Sequence, residues 1–368
     1  MKKRIPVIDF LRVISAMYLV LYHYVCAFDT IPVSKISKPV ANCGYIGVEV
    51  FFMLSGFCMA LNHKDQDQKF SRYMYNRVSP WYISYVCAVF LNIILQQVAD
   101  TNISSGGVFP LDKPLNFQYL FTSLLLVHNG WFLNQNSPYG SGAWFLDVLV
   151  LLYIIFYIIK RIAGKRNELY IFLCSLMVII GWYFSNQPAD FMFCYEKSAR
   201  GYLTFFIGVL MYELYVRIGE ENGKKFSYLL CSVDLVIFLV SGLYGLLTHE
   251  NVFGSFRIFM SVYIIPSVLF SSISLLGELK FSLSARIVKY MTSVYIWHAL
   301  ALAEIELIRI NMGYKWNYSN WLTFSIVMLI IALQCVIAYY LIEKRMTKYL
   351  NKKIVNSFTF VEMERSQV

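Results

Sequence analysis

The strongest constraint on this chain is a succession of apolar runs, each near the roughly 20 residues that a helix needs to cross the hydrocarbon core of a bilayer. They fall at 8–28, 44–61, 80–98, 143–159, 168–186, 200–216, 228–248, 256–276, 290–308 and 321–342, with a further apolar segment at 117–133. Such a series predicts an all-α, polytopic membrane protein, a bundle of about ten transmembrane helices. Composition agrees: 58% of residues are hydrophobic and 15% charged, against about 25% charged in soluble domains. The net charge of +10 does not point to nucleic acid, because the basic residues form short clusters between apolar runs and not one patch. At the start, Asp9 and Arg12 interrupt the first run after Met1-Lys2-Lys3-Arg4. That interruption is unlike a cleaved signal and predicts a retained first helix.

Charge orients the bundle. If 117–133 does not cross and the N-terminus is cytoplasmic, 23 of the 32 Lys and Arg fall on the cytoplasmic side, as the positive-inside bias requires. A crossing at 117–133 would turn Lys160, Arg161, Lys165 and Arg166 outward. The expectation is therefore ten crossings with both termini cytoplasmic. Segment 117–133 becomes a re-entrant or interfacial piece, tolerated where protein buries it. Residues 1–345 would form one membrane domain and 346–368 a short cytoplasmic tail. The only sizeable loop, 99–142, lies on the outer side, and no internal repeat is evident.

Charges inside a bilayer are expensive, so those in the apolar runs are candidate functional groups. The first run carries Asp9, Arg12 and His23. Eleven residues separate Arg12 from His23, which puts them about 20° apart around a helix and about 16 Å apart along it. They form a stripe on one face, with Asp9 beside Arg12; a polar seam between packed helices is the plainer reading. Glu49 in the second run is a functional acid or a partner that locks an Arg or His, and Ser55-Gly56 favours close helix packing. Arg72 and Arg77, before the third run, are either topological anchors or a phosphate grip, since guanidinium groups bond phosphate oxygens in pairs. Trp144 suits an interface. Asp147 lies one turn inside, at a depth where it could meet His23. His298 sits near mid-depth in the ninth run, followed by Glu304 and Glu306; a satisfied core histidine is its bland alternative. Eight cysteines occur without a C-x-x-C pair, so no metal site is expected. Cys43 and Cys194, both in expected outer loops, could pair.

Together these pieces resemble the membrane-bound acyltransferase-3 family. The resemblance rests on Asp9-Phe-Leu-Arg12 with ten residues before His23, on Gly47-Val-Glu49 through Phe57, on Arg72 through Pro80, on Ala143-Trp144-Phe-Leu, and on Ser293-Val-Tyr295-Ile-Trp-His298. It covers about residues 5 to 345. It implies ten transmembrane helices and transfer of acetyl, or another short acyl group, from cytoplasmic acyl-CoA (acetyl-CoA) as donor substrate. The acceptor it implies is a hydroxyl of a cell-surface glycan or its lipid-linked precursor. The location it implies is the cell membrane, the bacterial inner or plasma membrane. Arg12 and His23 match the family's Arg–His motif. Two features depart from the pattern: the spacing of Arg72 and Arg77, and Asp147 directly after Trp144-Phe-Leu.

For such a reaction His23 is the first candidate base, because imidazole titrates near neutral pH. His298, Asp147 and Glu49 are further catalytic candidates. Arg12, Arg72 and Arg77 would grip the phosphates of acyl-CoA. The expected partners are thus membrane lipids, acyl-CoA and a carbohydrate or lipid-linked glycan. No bound cofactor is expected, nor a nucleophilic Ser or Cys. A transporter or flippase for a polar or lipid-linked solute would place the same charges along its path, although the lack of repeats speaks against it. A non-catalytic sensor or scaffold is a third class.

Overall fold

The computed structural model describes residues 5–33, 43–62, 68–98, 104–105, 109–110, 116–134, 144–187, 189, 191–248, 257–279, 281–313, 316–345 and 348–349. The described residues are helical apart from turns and a two-residue hairpin, β1 (Ser104–Ser105) with β2 (Phe109–Pro110). In chain order the helices are α1 (Pro6–Phe28), α2 (Tyr45–Leu61), α3 (Phe70–Val98), the short α4 (Phe117–Leu124), α5 (Trp144–Ala163), α6 (Asn167–Asn186), α7 (Glu196–Ile218), α8 (Glu220–Thr248), α9 (Arg257–Leu276), α10 (Ser282–Met312) and α11 (Trp321–Glu343).

Seven of these, α1, α3, α6, α7, α9, α10 and α11, are long and apolar enough to cross a membrane; α2 is apolar and shorter at 17 residues. α5 is 20 residues long and carries Asp147, Lys160 and Arg161. α4 has eight residues, about 12 Å of helix, and cannot cross. The Lys2-Lys3-Arg4 cluster and most of the expected tail, 350–368, lie outside the described residues.

Local chemistry sets many of the ends. Pro6 opens α1, where a missing N–H costs nothing. α10 stops at Gly313, whose φ of 67° suits a left-handed cap. Asn320 caps α11 by accepting from the Leu322 N–H at 2.8 Å. α9 contains one π-helical turn, Met260–Ile264, just ahead of Pro266.

The bundle has a centre and a rim. Within its apolar window α10 is 72% buried, against 22% for α11 and 17% for α6. The outer helices turn large apolar side chains outward, among them Phe172, Ile179, Leu229, Phe238, Leu329 and Leu333. Such a continuous apolar exterior suits lipid and not water. The core is held by backbone-close crossings. A Cβ on Gly56 would collide with the Phe205 carbonyl, and one on Gly208 with the Met53 carbonyl, so α2 and α7 touch main chain to main chain. Gly181 makes the same kind of approach from α6 to α7 at Leu203. Small residues are what permit such contacts between membrane helices. Ser55-Gly56 is therefore a packing element, as its sequence suggests.

Candidate functional site

Four polar groups lie inside this apolar frame. The first is a histidine pair between α1 and α10. His23 Nδ1 stands 2.6 Å from His298 Nε2, with the rings stacked at 4.8 Å between centroids. His298 is wholly buried and His23 half-buried. The other nitrogen of His298, Nδ1, lies 2.7 Å from the Val294 carbonyl. A carbonyl only accepts, so His298 Nδ1 carries the hydrogen and, in the neutral ring, Nε2 is an acceptor. His23 Nδ1 must then donate to it, and the His23 Nε2 lone pair is left open. The backbone of α10 thus fixes both rings.

That part of α10 is itself anchored. Trp297 Nε1 donates to Ser84 Oγ of α3 at 2.9 Å, and Ser293 Oγ donates to the buried Glu343 carboxylate of α11 at 2.7 Å. Glu343 sits on a π-helical turn, Tyr339–Glu343. Its membrane position gave no hint of this partner in the sequence.

The second group lies one end of the bundle away from the histidines. Arg12 Nη2 donates to Cys58 Sγ at 3.3 Å. Arg77 donates to Met59 Sδ at 3.1 Å and to the Tyr73 carbonyl at 3.0 Å, with its guanidinium 3.7 Å over the Tyr73 ring. Both arginines act electrostatically on Tyr153 of α5. Asp9 is buried at the same level, within range of Cys58. The fold therefore brings Arg12 and Arg77 together; Arg72 is exposed, one turn and a half before Arg77 on α3. The eleven residues from Arg12 to His23 span about 16 Å of α1, and they join this end to the histidine pair.

The third group surrounds Glu49, which is 1% exposed. Its Oε1 meets Arg200 Nε of α7 at 3.3 Å and Arg257 Nε of α9 at 3.5 Å, and its Oε2 accepts from Ser261 Oγ. The π turn of α9 carries Ser261. Glu49 is thus the helix-locking partner of arginines anticipated as one of its two readings. The sequence placed Arg200 and Arg257 only at the margins of their helices, with nothing to link them to Glu49.

Asp147 is fully buried and contacts not His23 but His128, Nδ1 to Oδ2 at 2.6 Å. The expected meeting of Asp147 with His23 is corrected here: His23 is taken by His298. The loop after α4 makes the dyad possible. It turns through Leu126 and Gly130, at φ of 58° and 77°, and directs the Asn129 N–H to Asp147 Oδ2 at 3.0 Å and Trp131 Nε1 to the Asp147 carbonyl at 2.7 Å. Segment 117–133 is buried against protein through Thr122, Ser123, Leu126, His128 and Asn129, while Phe117, Phe121, Leu125 and Phe132 stay exposed. Cys43 and Cys194 are not joined to each other, so the disulfide considered for them is not formed. Among the described residues no group of three or more His, Cys, Asp or Glu is arranged to hold a metal ion.

Chemically, the arrangement offers a basic nitrogen with a fixed tautomer, cations at one end of the bundle, and a second set of cations near the histidines. A family model described as an acyltransferase domain matches residues 5–342, nearly the whole chain. No curated protein and no solved structure matches it.

Proposed function

Because the chain belongs to this acyltransferase family, we propose that it moves an acetyl or other short acyl group from acyl-CoA to a hydroxyl of a carbohydrate-type acceptor, a cell-surface glycan or its lipid-linked precursor. The observation that carries this reading is the hydrogen-bonded run from the Val294 carbonyl through His298 to His23. It supports His23 Nε2 as the general base. In the step proposed, Nε2 takes the proton of the acceptor hydroxyl while its oxygen attacks the thioester carbonyl. The C–O bond forms and the C–S bond breaks. The proton, shared meanwhile between the two imidazoles, passes to the departing thiolate and yields CoA and the ester. A positioned base of this kind contributes about 10²–10⁴-fold.

The other residues take supporting roles in this reading. Arg12 and Arg77 hold the donor's phosphates where they come together at one end of the bundle, exposed Arg72 adds to that grip from the start of α3, and Arg12 starts the path along α1 toward His23. His298 takes up part of the proton. Asp147 and Glu49 act as positioning residues, one through His128 and one through Arg200 and Arg257. Ten crossings, with both termini in the cytoplasm, complete the proposal: α2, α5 and α8 add to the seven long apolar helices, and the basic clusters favour that orientation. The acyl donor would then arrive from the cytoplasm, in the plasma membrane of a bacterium.

The test is CoA release from acetyl-CoA by the purified protein in nanodiscs, with a glycoside acceptor and ester formation followed by mass spectrometry. His23→Ala and His23→Gln should both abolish transfer while the protein stays folded and inserted. Turnover near that of the unchanged protein in both variants removes His23 from the mechanism. Solute flux without CoA release favours a transporter instead.

A further inference from the structure

At the Glu49 group is a cavity of about 330 Å³, lined by Glu49, Arg200, Arg257, Ser261, Ser185 and Thr204 among others. Its size falls in the range of small-molecule sites, about 300–1,000 Å³. Its lining has more donors than the protein itself uses. Both oxygens of Glu49 are engaged, Oε1 between the two guanidinium groups and Oε2 by Ser261. Glu49 is one carboxylate shared between two guanidinium groups, and it meets the Nε of each. Arg257 is also held at the rim by Glu196, 2.8 Å away and half-exposed, where solvent weakens the pairing. Arg200 Nη2 and Ser185 Oγ are buried and have no hydrogen-bond partner among the described residues. Buried polar atoms without partners are rare in native structures and call for an explanation.

The cavity also lies close to the proposed chemistry. Arg200 is near enough to act electrostatically on Tyr22 and Tyr295. The Tyr22 ring is 5.2 Å from His23, and the Tyr295 ring 6.3 Å from His298. Tyr22 and Tyr295 therefore lie both beside the imidazoles and within electrostatic range of Arg200. The Arg200 guanidinium also lies 5.2 Å over the Trp144 ring. The donor-side arginines are elsewhere: Glu49 and Cys58 are nine residues apart on α2, about 13 Å.

We propose that this cavity holds the anionic group of the acceptor, a carboxylate or phosphate borne by a carbohydrate, with Arg200 Nη2 and Arg257 as its donors and Ser185 bonded to a neighbouring hydroxyl. Glu49 sets the spacing of the two guanidinium groups. The inference rests on the acyl-transfer reading and narrows its acceptor to an acidic or phosphorylated sugar.

The experiment measures binding without acetyl-CoA, on the full chain in phosphatidylcholine nanodiscs. Methyl glucuronide and glucose 1-phosphate are compared with neutral methyl glucoside, by thermal shift and by quenching of tryptophan fluorescence. The anionic probes should bind at least about tenfold more tightly than the glucoside, and Arg257→Gln should remove about tenfold or more of that preference. Arg257→Gln leaves the Glu49–Arg200 pair in place, so it should fold; Arg200→Lys, which keeps the charge but not the fork, should lose a similar share. Equal binding of all three sugars, or an anion preference untouched in Arg257→Gln, overturns the proposal. Protection that appears only when phosphatidylglycerol replaces the neutral lipid assigns the site to a lipid headgroup and also overturns it. The two readings fail separately. Anion binding without CoA release refutes acyl transfer and keeps the site, while CoA release without anion preference refutes the site alone.

Discussion

His23 and His128 are both enclosed by the bundle, but their partners differ in kind. His128 faces a carboxylate, Asp147, with both side chains wholly buried. His23 faces another imidazole, whose far nitrogen is committed to a backbone carbonyl. The Asp147 carboxylate holds the His128 ring in place, so the dyad is suited to fixing the loop after α4 against α5. A neutral imidazole neighbour supplies no charge, and His23 keeps an open lone pair. The lesson is that burial alone does not mark a base; the partner on the opposite nitrogen does.

The comparison can be broken in four ways. The largest effect expected is from His23→Gln, a fall in acyl transfer of about 10²–10⁴-fold at an unchanged unfolding temperature. Next is Asp147→Asn, which takes the carboxylate away from buried His128 and should cost about 2 kcal/mol of stability, read by thermal unfolding in nanodiscs. Transfer per folded molecule should fall far less than in His23→Gln; an equal fall would move the acid–base centre to the dyad. His298→Gln comes third. It keeps a polar group beside His23 but cannot share the proton, and kcat should drop by about tenfold to a hundredfold, below the loss at His23 itself. The smallest effect is expected from Asn129→Ala, which removes only the side-chain acceptor of Lys197 at 2.9 Å. It should lower stability by about 1 kcal/mol and leave transfer intact.

Much of the helical layout was legible in the sequence, because crossing a bilayer imposes a length and an apolarity that single residues cannot hide. The runs 44–61, 168–186 and 321–342 differ from α2, α6 and α11 by no more than one residue at either end. The errors are at helix ends that leave the apolar layer. α3 begins at Phe70, ten residues before the run at 80–98, because Arg72, Asn76 and Arg77 look like a loop to a hydropathy reading. α8 begins at Glu220, where Glu220–Lys224 and Glu221–Lys225 pair at i, i+4.

The candidate site was less legible. Arg12, His23, Glu49, Asp147 and His298 stand out as charges or imidazoles within apolar runs, which the cost of burial makes visible. Their partners do not stand out. His23 and His298 are 275 residues apart, and no periodicity along one chain reports such a contact. His128 lay in a segment whose crossing was in doubt, and its role depends on a turn through Leu126 and Gly130. Arg200 and Arg257 stand at the start of the runs 200–216 and 256–276, and nothing in the sequence links them to Glu49.

The glycine crossing of α2 and α7 has a consequence for how the bundle can move. Two helices whose carbonyls abut through Gly56 and Gly208 cannot slip past one another by a turn of about 5.4 Å, since the next residues on that seam would drive side chains into main chain. Glu49 and Arg200, borne on these two helices, stay in register. The wall built by α2 and α7 is then a fixed one, and any opening of the bundle has to come from the helices around it.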